Sequence, residues 1–344
     1  MRKIFVRRLI VSALQIAITL GILVFLFHDS AKRAQMAEAL GRANWRWLLA
    51  GVFAYGAVEI LGAIQWQLLL RIQGFRLPWL QATSIFFIGV FFTLFTPGLI
   101  AGDAMQIFYL VKAKPERKAD AVLVVMMDRI LGLLALVVLA AVIATARFHW
   151  LRGTPATARL FELTIILLAV GLLSLIAAVP AAKSRRLQKL FSALHLADKI
   201  AEIRDALGCY LVNQRRTAIA FSFTVTAHFF YFGTFYCAGR ALEGNVMARA
   251  PSLGEMFSIM PIVNTLTALP ISFAGIGVRE SLFQVLLHDL CRAPEAVGVL
   301  IGALGFAVRL LWGLPGGAAF LLYRLPRVSR KQRMRATLKP GARD

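Results

Sequence analysis

"TPGLIAGDAMQ", residues 96–106, interrupts a run of apolar residues that otherwise reads as a helix through lipid. A proline, two glycines and an aspartate fall close together there. Proline and glycine disrupt regular helix. An acid at membrane depth costs about 2.5–3.5 kcal/mol on insertion scales. Non-helical backbone is tolerated at that depth only where protein covers it or it lines a cavity. The stretch therefore predicts a re-entrant helical hairpin rather than a plain span. It also has an echo. Pro97-x3-Ala101-Gly102 recurs as Pro270-x3-Ala274-Gly275, 173 residues later, about half the 344-residue length.

Composition sets the context around these breaks. The chain is 59% hydrophobic, with a mean hydropathy of +0.72. A soluble domain is roughly 45–50% apolar. Runs of about 18 or more apolar residues recur along the chain, long enough to cross a ~30 Å hydrocarbon core. Membrane segments are expected at 9–27, 46–70, 80–111, 119–146, 160–180, 214–239, 252–290 and 293–323. The segments at 80–111 and 252–290 are the two with central breaks, at Pro97, Gly98 and Gly102 and at Pro270. The fold class is thus an all-α polytopic membrane protein of about six spanning helices and two re-entrant hairpins.

The formal net charge of +22 clusters beside apolar segments, as in cytoplasmic loops of membrane proteins, and does not point to nucleic acid. With each broken segment returning to its own side, 26 of the 39 Lys and Arg fall on the cytoplasmic side, 10 outside and 3 within the membrane. Both termini are then cytoplasmic, in a cell inner membrane. The hairpins enter from opposite faces, which makes the halves an inverted repeat, a recurring transporter architecture. The halves are 1–147 and 148–323, followed by a basic tail, 324–344. The run at 9–27 is too long for a signal-peptide core and reads as a retained first helix. A connector at 183–213 has an apolar helical face, fitting either a membrane-surface helix or a solvated link.

Ionisable residues at membrane depth are the candidates for function. Asp103 follows Gly102 and suits either a cap for a helix at 104–111 or a counter-charge. Asp128 and Arg129 are adjacent, point about 100° apart on a helix and need partners elsewhere. In "LPISFAGIGVRE", Gly275 and Gly277 would let backbone amides approach a ligand, and Arg279 would sit in the first turn of the helix that follows. That arrangement favours an anion, with Glu280 as its balance. Glu59 in "YGAVEILGAIQWQ" is a further acid at mid-membrane depth, and Arg309 a further arginine. The three cysteines and five histidines make no metal-ligand pattern, so no metal, cofactor or catalytic residue is expected.

Together, "FTPGLIAGDAMQIFYLVKAKPERKADAVLVVMMDRILGLLAL" and "ALPISFAGIGVRESLF" resemble the lysylphosphatidylglycerol-synthase transmembrane-region family, also called flippase-like or UPF0104. The likeness covers nearly the whole chain. It implies a role in moving lipids or lipid-linked sugars in cell-envelope pathways. It marks Pro97, Gly98, Gly102, Asp103, Asp128, Arg129, Gly275, Gly277, Arg279 and Glu280 as motif positions. About 21 residues follow Tyr323, too few for an aminoacyl-transfer domain, so synthase activity is not expected. The leading expectation is a flippase for an anionic lipid or a polyprenyl-phosphate-linked glycolipid. Arg279, Arg129, Gly275 and Gly277 would bind phosphate, and Asp103, Asp128, Glu280 and Glu59 would act as counter-charges or proton carriers. The alternative is a membrane partner of an envelope glycosyltransferase, or a lipid-modifying transferase itself.

Overall fold

The computed structural model describes residues 2–96, 101–183, 208–244, 247 and 249–322. Among these, every named element is helical. Five helices are long and apolar enough to cross a bilayer: α3 (Trp45–Ile72), α6 (Lys118–Leu151), α7 (Pro155–Lys183), α8 (Gln214–Ala241) and α11 (Glu295–Leu322). A sixth span is counted if Gln15–Phe27, in α1 (Arg2–Phe27), is joined to α2 (Ser30–Gly41) across an 84° bend. The protein is a multi-pass membrane protein.

The two broken segments appear as helix pairs. The first is α4 (Trp79–Phe95) and α5 (Ala101–Ala113). Its tip, with Pro97 and Gly98, lies outside the described residues. The second is α9 (Leu253–Thr267), a 3-10 turn at Phe273–Gly275 and α10 (Val278–Cys291). Pro270 lies in the turn between its arms. The backbone is left-handed at Ala274, Gly275 and Gly277 (φ 51°, 75° and 83°). Glycine reaches that region freely, whereas alanine is strained there, so the tip is held by its surroundings. The tail 324–344 and most of the connector, residues 184–207, lie outside the described residues.

Helix α2 was not anticipated. It is polar and short, so no hydropathy run marks it. Its start is set by Asp29, whose carboxylate accepts from the amides of Ala31 (2.8 Å) and Lys32 (3.4 Å). It packs against α11, and Lys32 pairs with Glu295 at 2.9 Å.

Helices α3 and α8 make the most extensive packing in the molecule, with Trp47 edge-on to Tyr236 and Tyr55 edge-on to Tyr231, each at 6.0 Å. Each hairpin also leans on a long helix distant in sequence: α4 on α11 and α9 on α6. Small residues permit these approaches. A side chain at Gly316 would run into the Phe87 carbonyl of α4; within the second half of the chain, Gly298 likewise lets α11 approach α10, where a side chain would lie 2.8 Å from the Phe283 carbonyl. Two apolar cores result. One surrounds the first hairpin through Trp66, Leu69, Ile85, Ile88 and Leu110. The other surrounds the second through Phe232, Phe235, Ile259, Phe283 and Ile301. Large apolar side chains also face outward, Phe25 and Phe53 among them, which suits a surface bathed in lipid.

Candidate functional site: a polar network between two hairpins

Of the charged residues singled out from the sequence, Glu59, Arg279 and Glu280 are buried, Asp103, Asp128 and Arg309 half-buried, and Arg129 exposed. Helix α5 starts at Ala101, so Asp103 lies inside its first turn rather than capping a helix at 104. Its carboxylate is taken by Arg129 of α6, through Nη2 to Oδ1 and through Nε to Oδ2 at 3.2 Å. A two-point guanidinium–carboxylate contact is among the stronger ion pairs. This pair is open on one side, with 57% of the Arg129 side chain exposed and 19% of Asp103. An incoming anion can therefore compete with Asp103 for Arg129.

Asp128 turns the other way. Its Oδ1 accepts from Gln65 Nε2 of α3 at 3.0 Å. Gln65 Oε1 in turn accepts from the Thr224 hydroxyl of α8 at 2.7 Å. Gln65 and Thr224 are buried. This chain of hydrogen bonds ties α6, α3 and α8 together at one level. Neither Gln65 nor Thr224 was singled out from the sequence. An uncharged amide in an apolar helix carries no signal until its partner is known.

Glu59 is buried on α3, one turn from buried Tyr55. Tyr55 lies close to both Glu59 and Arg309 of α11. Arg309 lies within electrostatic range of Glu59, Tyr231 and Arg129. It attracts Glu59 and repels Arg129, so it lies between the group around Arg129 and the group around Tyr55 without pairing the two. The spacing of Tyr55 and Glu59 places them on one face of α3, a legible signal for Tyr55 that the charge survey passed over.

The second hairpin supplies Arg279, which is 2% exposed. Its Nη2 donates to the Ala274 carbonyl at 3.3 Å, and the guanidinium lies 4.8 Å from the Phe306 ring centroid. Among the described residues its Nε and Nη1 have no partner. Arg279 also lies within electrostatic range of Tyr55. Nearby, the buried Ser272 hydroxyl is likewise unpartnered. A buried cation with unused donors is costly unless an anion satisfies it.

Glu280 does not answer that charge directly. Its Oε2 accepts from the Gly277 amide at 2.6 Å and closes the first turn of α10. Gly277 makes room for another helix rather than a ligand: a side chain there would meet Ile22 of α1. Gly275 lies beside Arg279, where an added Cβ would sit 3.2 Å from Nη2. Helix α1 also braces the tip, through Thr19 Oγ1 accepting from the Phe273 amide at 2.8 Å and Gln15 donating to the Pro270 carbonyl at 3.3 Å. Gly102 allows α5 to press on α4 near Thr93 and the Gly89 carbonyl.

The result is three arginines and three acids running from Asp103 at one hairpin, past Arg129, Asp128, Arg309 and Glu59, to Arg279 at the other. Among the described residues no group of His, Cys, Asp and Glu could hold a metal ion. Residues 12–324 match the family model described as the lysylphosphatidylglycerol synthase TM region. A search of curated proteins finds no match.

Proposed function

Because the chain belongs to the family of lysylphosphatidylglycerol synthase transmembrane regions, we propose that its polar network carries the headgroup of an anionic lipid or a polyprenyl-phosphate-linked glycolipid across the bilayer. The observation that carries this reading is Arg279, buried with two guanidinium nitrogens that find no partner among the described residues. A lipid phosphate supplies the missing charge and acceptors. Arg129 is the second contact. It is reached when the phosphate displaces Asp103, which leaves Asp103 free to re-pair once the lipid moves on. Asp128 and Glu59 balance Arg129 and Arg309 between passages. Glu280 holds the α10 start and so positions Arg279.

The packing supports an inverted repeat. The repeat pairs α3 with α8, the first hairpin with the second, and α6 with α11. The contacts of α4 with α11 and of α9 with α6 are then equivalents of one another, and α3–α8 is the self-paired contact at the axis. In this reading the hairpins enter from opposite faces of the inner membrane, with both termini cytoplasmic, and meet at the network. The protein acts in cell-envelope biogenesis, beside an envelope glycosyltransferase that makes or uses the lipid.

The test is lipid sidedness in liposomes holding purified protein. Wild type is expected to equilibrate a labelled anionic lipid between leaflets, and Arg279→Ala and Asp103→Asn to slow it at least about tenfold, as expected for losing one charge-assisted contact of ~1.5–3 kcal/mol. Unchanged sidedness in both variants would sink the proposal.

A further inference from the structure

At one end of the bundle three arginines surround a cavity of about 490 Å³. Arg71 comes from the last turn of α3, Arg76 from the loop before α4, and Arg216 from the first turn of α8; Leu77 and Pro78 complete the wall. All three arginines are exposed, and among the described residues none is paired with a carboxylate. Asp120, at the start of α6, is already taken by Arg117 at 2.7 Å. Arg117 and Lys114 lie over the Phe75 ring at 5.3 and 5.8 Å, and Lys112 and Lys118 belong to the same end of the first hairpin. Glu116 is the other acid in that loop, and among the described residues no carboxylate lines the cavity.

Like charges that converge on a cavity repel one another unless an anion sits among them. The backbone adds to the pull. Helix α4 begins behind Pro78, which has no side chain to cap the first-turn amides. The residues that follow Pro78 are apolar and exposed, Trp79 by 48% and Leu80 by 77%, on the first turn of α4. An exposed tryptophan beside a basic cluster is the composition of a membrane–water interface. Depth agrees. Arg71 lies twelve residues beyond Glu59 on α3, about 18 Å along the helix axis. Half of a ~30 Å hydrocarbon core is about 15 Å, so with Glu59 at mid-depth Arg71 reaches headgroup level.

We propose that Arg71, Arg76 and Arg216 form an anion site for the phosphate of a glycerophospholipid headgroup, with its acyl chains lying along Trp79 and Leu80. The cavity falls within the range of small-ligand sites, about 300–1,000 Å³. Arg71, Arg76 and Arg216 are separate from the network between the hairpins, so the site stands whether or not that network moves lipid.

Native mass spectrometry of the full chain in detergent tests it, with phosphatidylglycerol, phosphatidylcholine and inorganic phosphate as probes. Wild type is expected to hold phosphatidylglycerol about tenfold more tightly than phosphatidylcholine, and millimolar inorganic phosphate is expected not to displace it. The triple variant Arg71→Ala, Arg76→Ala, Arg216→Ala loses the preference. The triple arginine-to-lysine variant keeps part of it, and Arg46→Ala, at the opposite end of α3, leaves it unchanged. Should the triple alanine variant fail to fold, Arg76→Ala and Arg216→Ala are read singly, each expected to lower the preference severalfold. Equal retention of phosphatidylglycerol by wild type and the folded variants overturns the site. Displacement by inorganic phosphate overturns the lipid assignment and makes the occupant a free phosphate.

Discussion

A guanidinium with two unpaired nitrogens inside a protein persists only where something else supplies the opposite charge. At Arg279 the contacts on hand are one carbonyl and the face of Phe306. Both are weaker than a carboxylate pair. Arg279→Met keeps the length of the side chain and removes the charge. Its thermal midpoint in detergent is expected to equal or exceed that of wild type, while lipid movement falls about tenfold. A variant that unfolds instead would show that the guanidinium is a structural strut. Asp103 and Arg129 behave differently, because each already has its partner. Exchanging them, as Asp103→Arg with Arg129→Asp, is expected to recover most of the stability that either single change loses. The coupling expected from a double-mutant cycle in thermal unfolding is about 1 kcal/mol, as for a partly exposed pair. Absence of coupling would show that the pair contributes nothing to the fold.

At the scale of elements, the hairpins are positioned by close helix contacts. The α4–α11 contact depends on Gly316, where any side chain meets the Phe87 carbonyl. Gly316→Ala is expected to destabilise the protein by about 1–3 kcal/mol, the usual penalty for overpacking. Thermal unfolding of that variant checks it, and an unchanged midpoint would mean that α4 slides freely on α11. Helix α1 has a comparable role at the other hairpin, where Thr19 and Gln15 occupy polar backbone groups of the tip. The bilayer explains why the elements were legible in the sequence. Backbone polar groups in hydrocarbon must be satisfied within each segment, so long apolar stretches become helices whatever they pack against. Polar α2 obeys no such rule, and its only local mark is the Asp29 cap.

For the whole molecule, the proposed inverted repeat makes one sharp expectation. Cysteines placed singly at Gly98 and Ala274 should be labelled from opposite faces of the membrane by an impermeant thiol reagent. Labelling from the same face would end the inverted arrangement, because two hairpins entering together cannot be related by an axis in the membrane plane. The site was half legible at this scale. Asp103, Asp128, Arg129, Glu59 and Arg279 announce themselves because charge at membrane depth is rare. Which of them meet does not show in the chain. Asp103 finds Arg129 across 26 positions, and Gln65 finds Thr224 across 159. Such pairings depend on how far each helix is rotated about its axis.

The sequence by itself determined the helical class, the broken segments near 97 and 270, and the set of charges buried among them. Hydrophobic run length and helix-breaking residues are local properties, and lipid reads them locally. Only the tertiary structure decided that Glu280 closes a helix turn, that Gly277 admits α1, and that Arg279 is left with unused donors. Those outcomes follow from packing. Side chains of α1, α3, α6, α8 and α11 compete for the same interior, and a group's role is settled by which neighbour reaches it first.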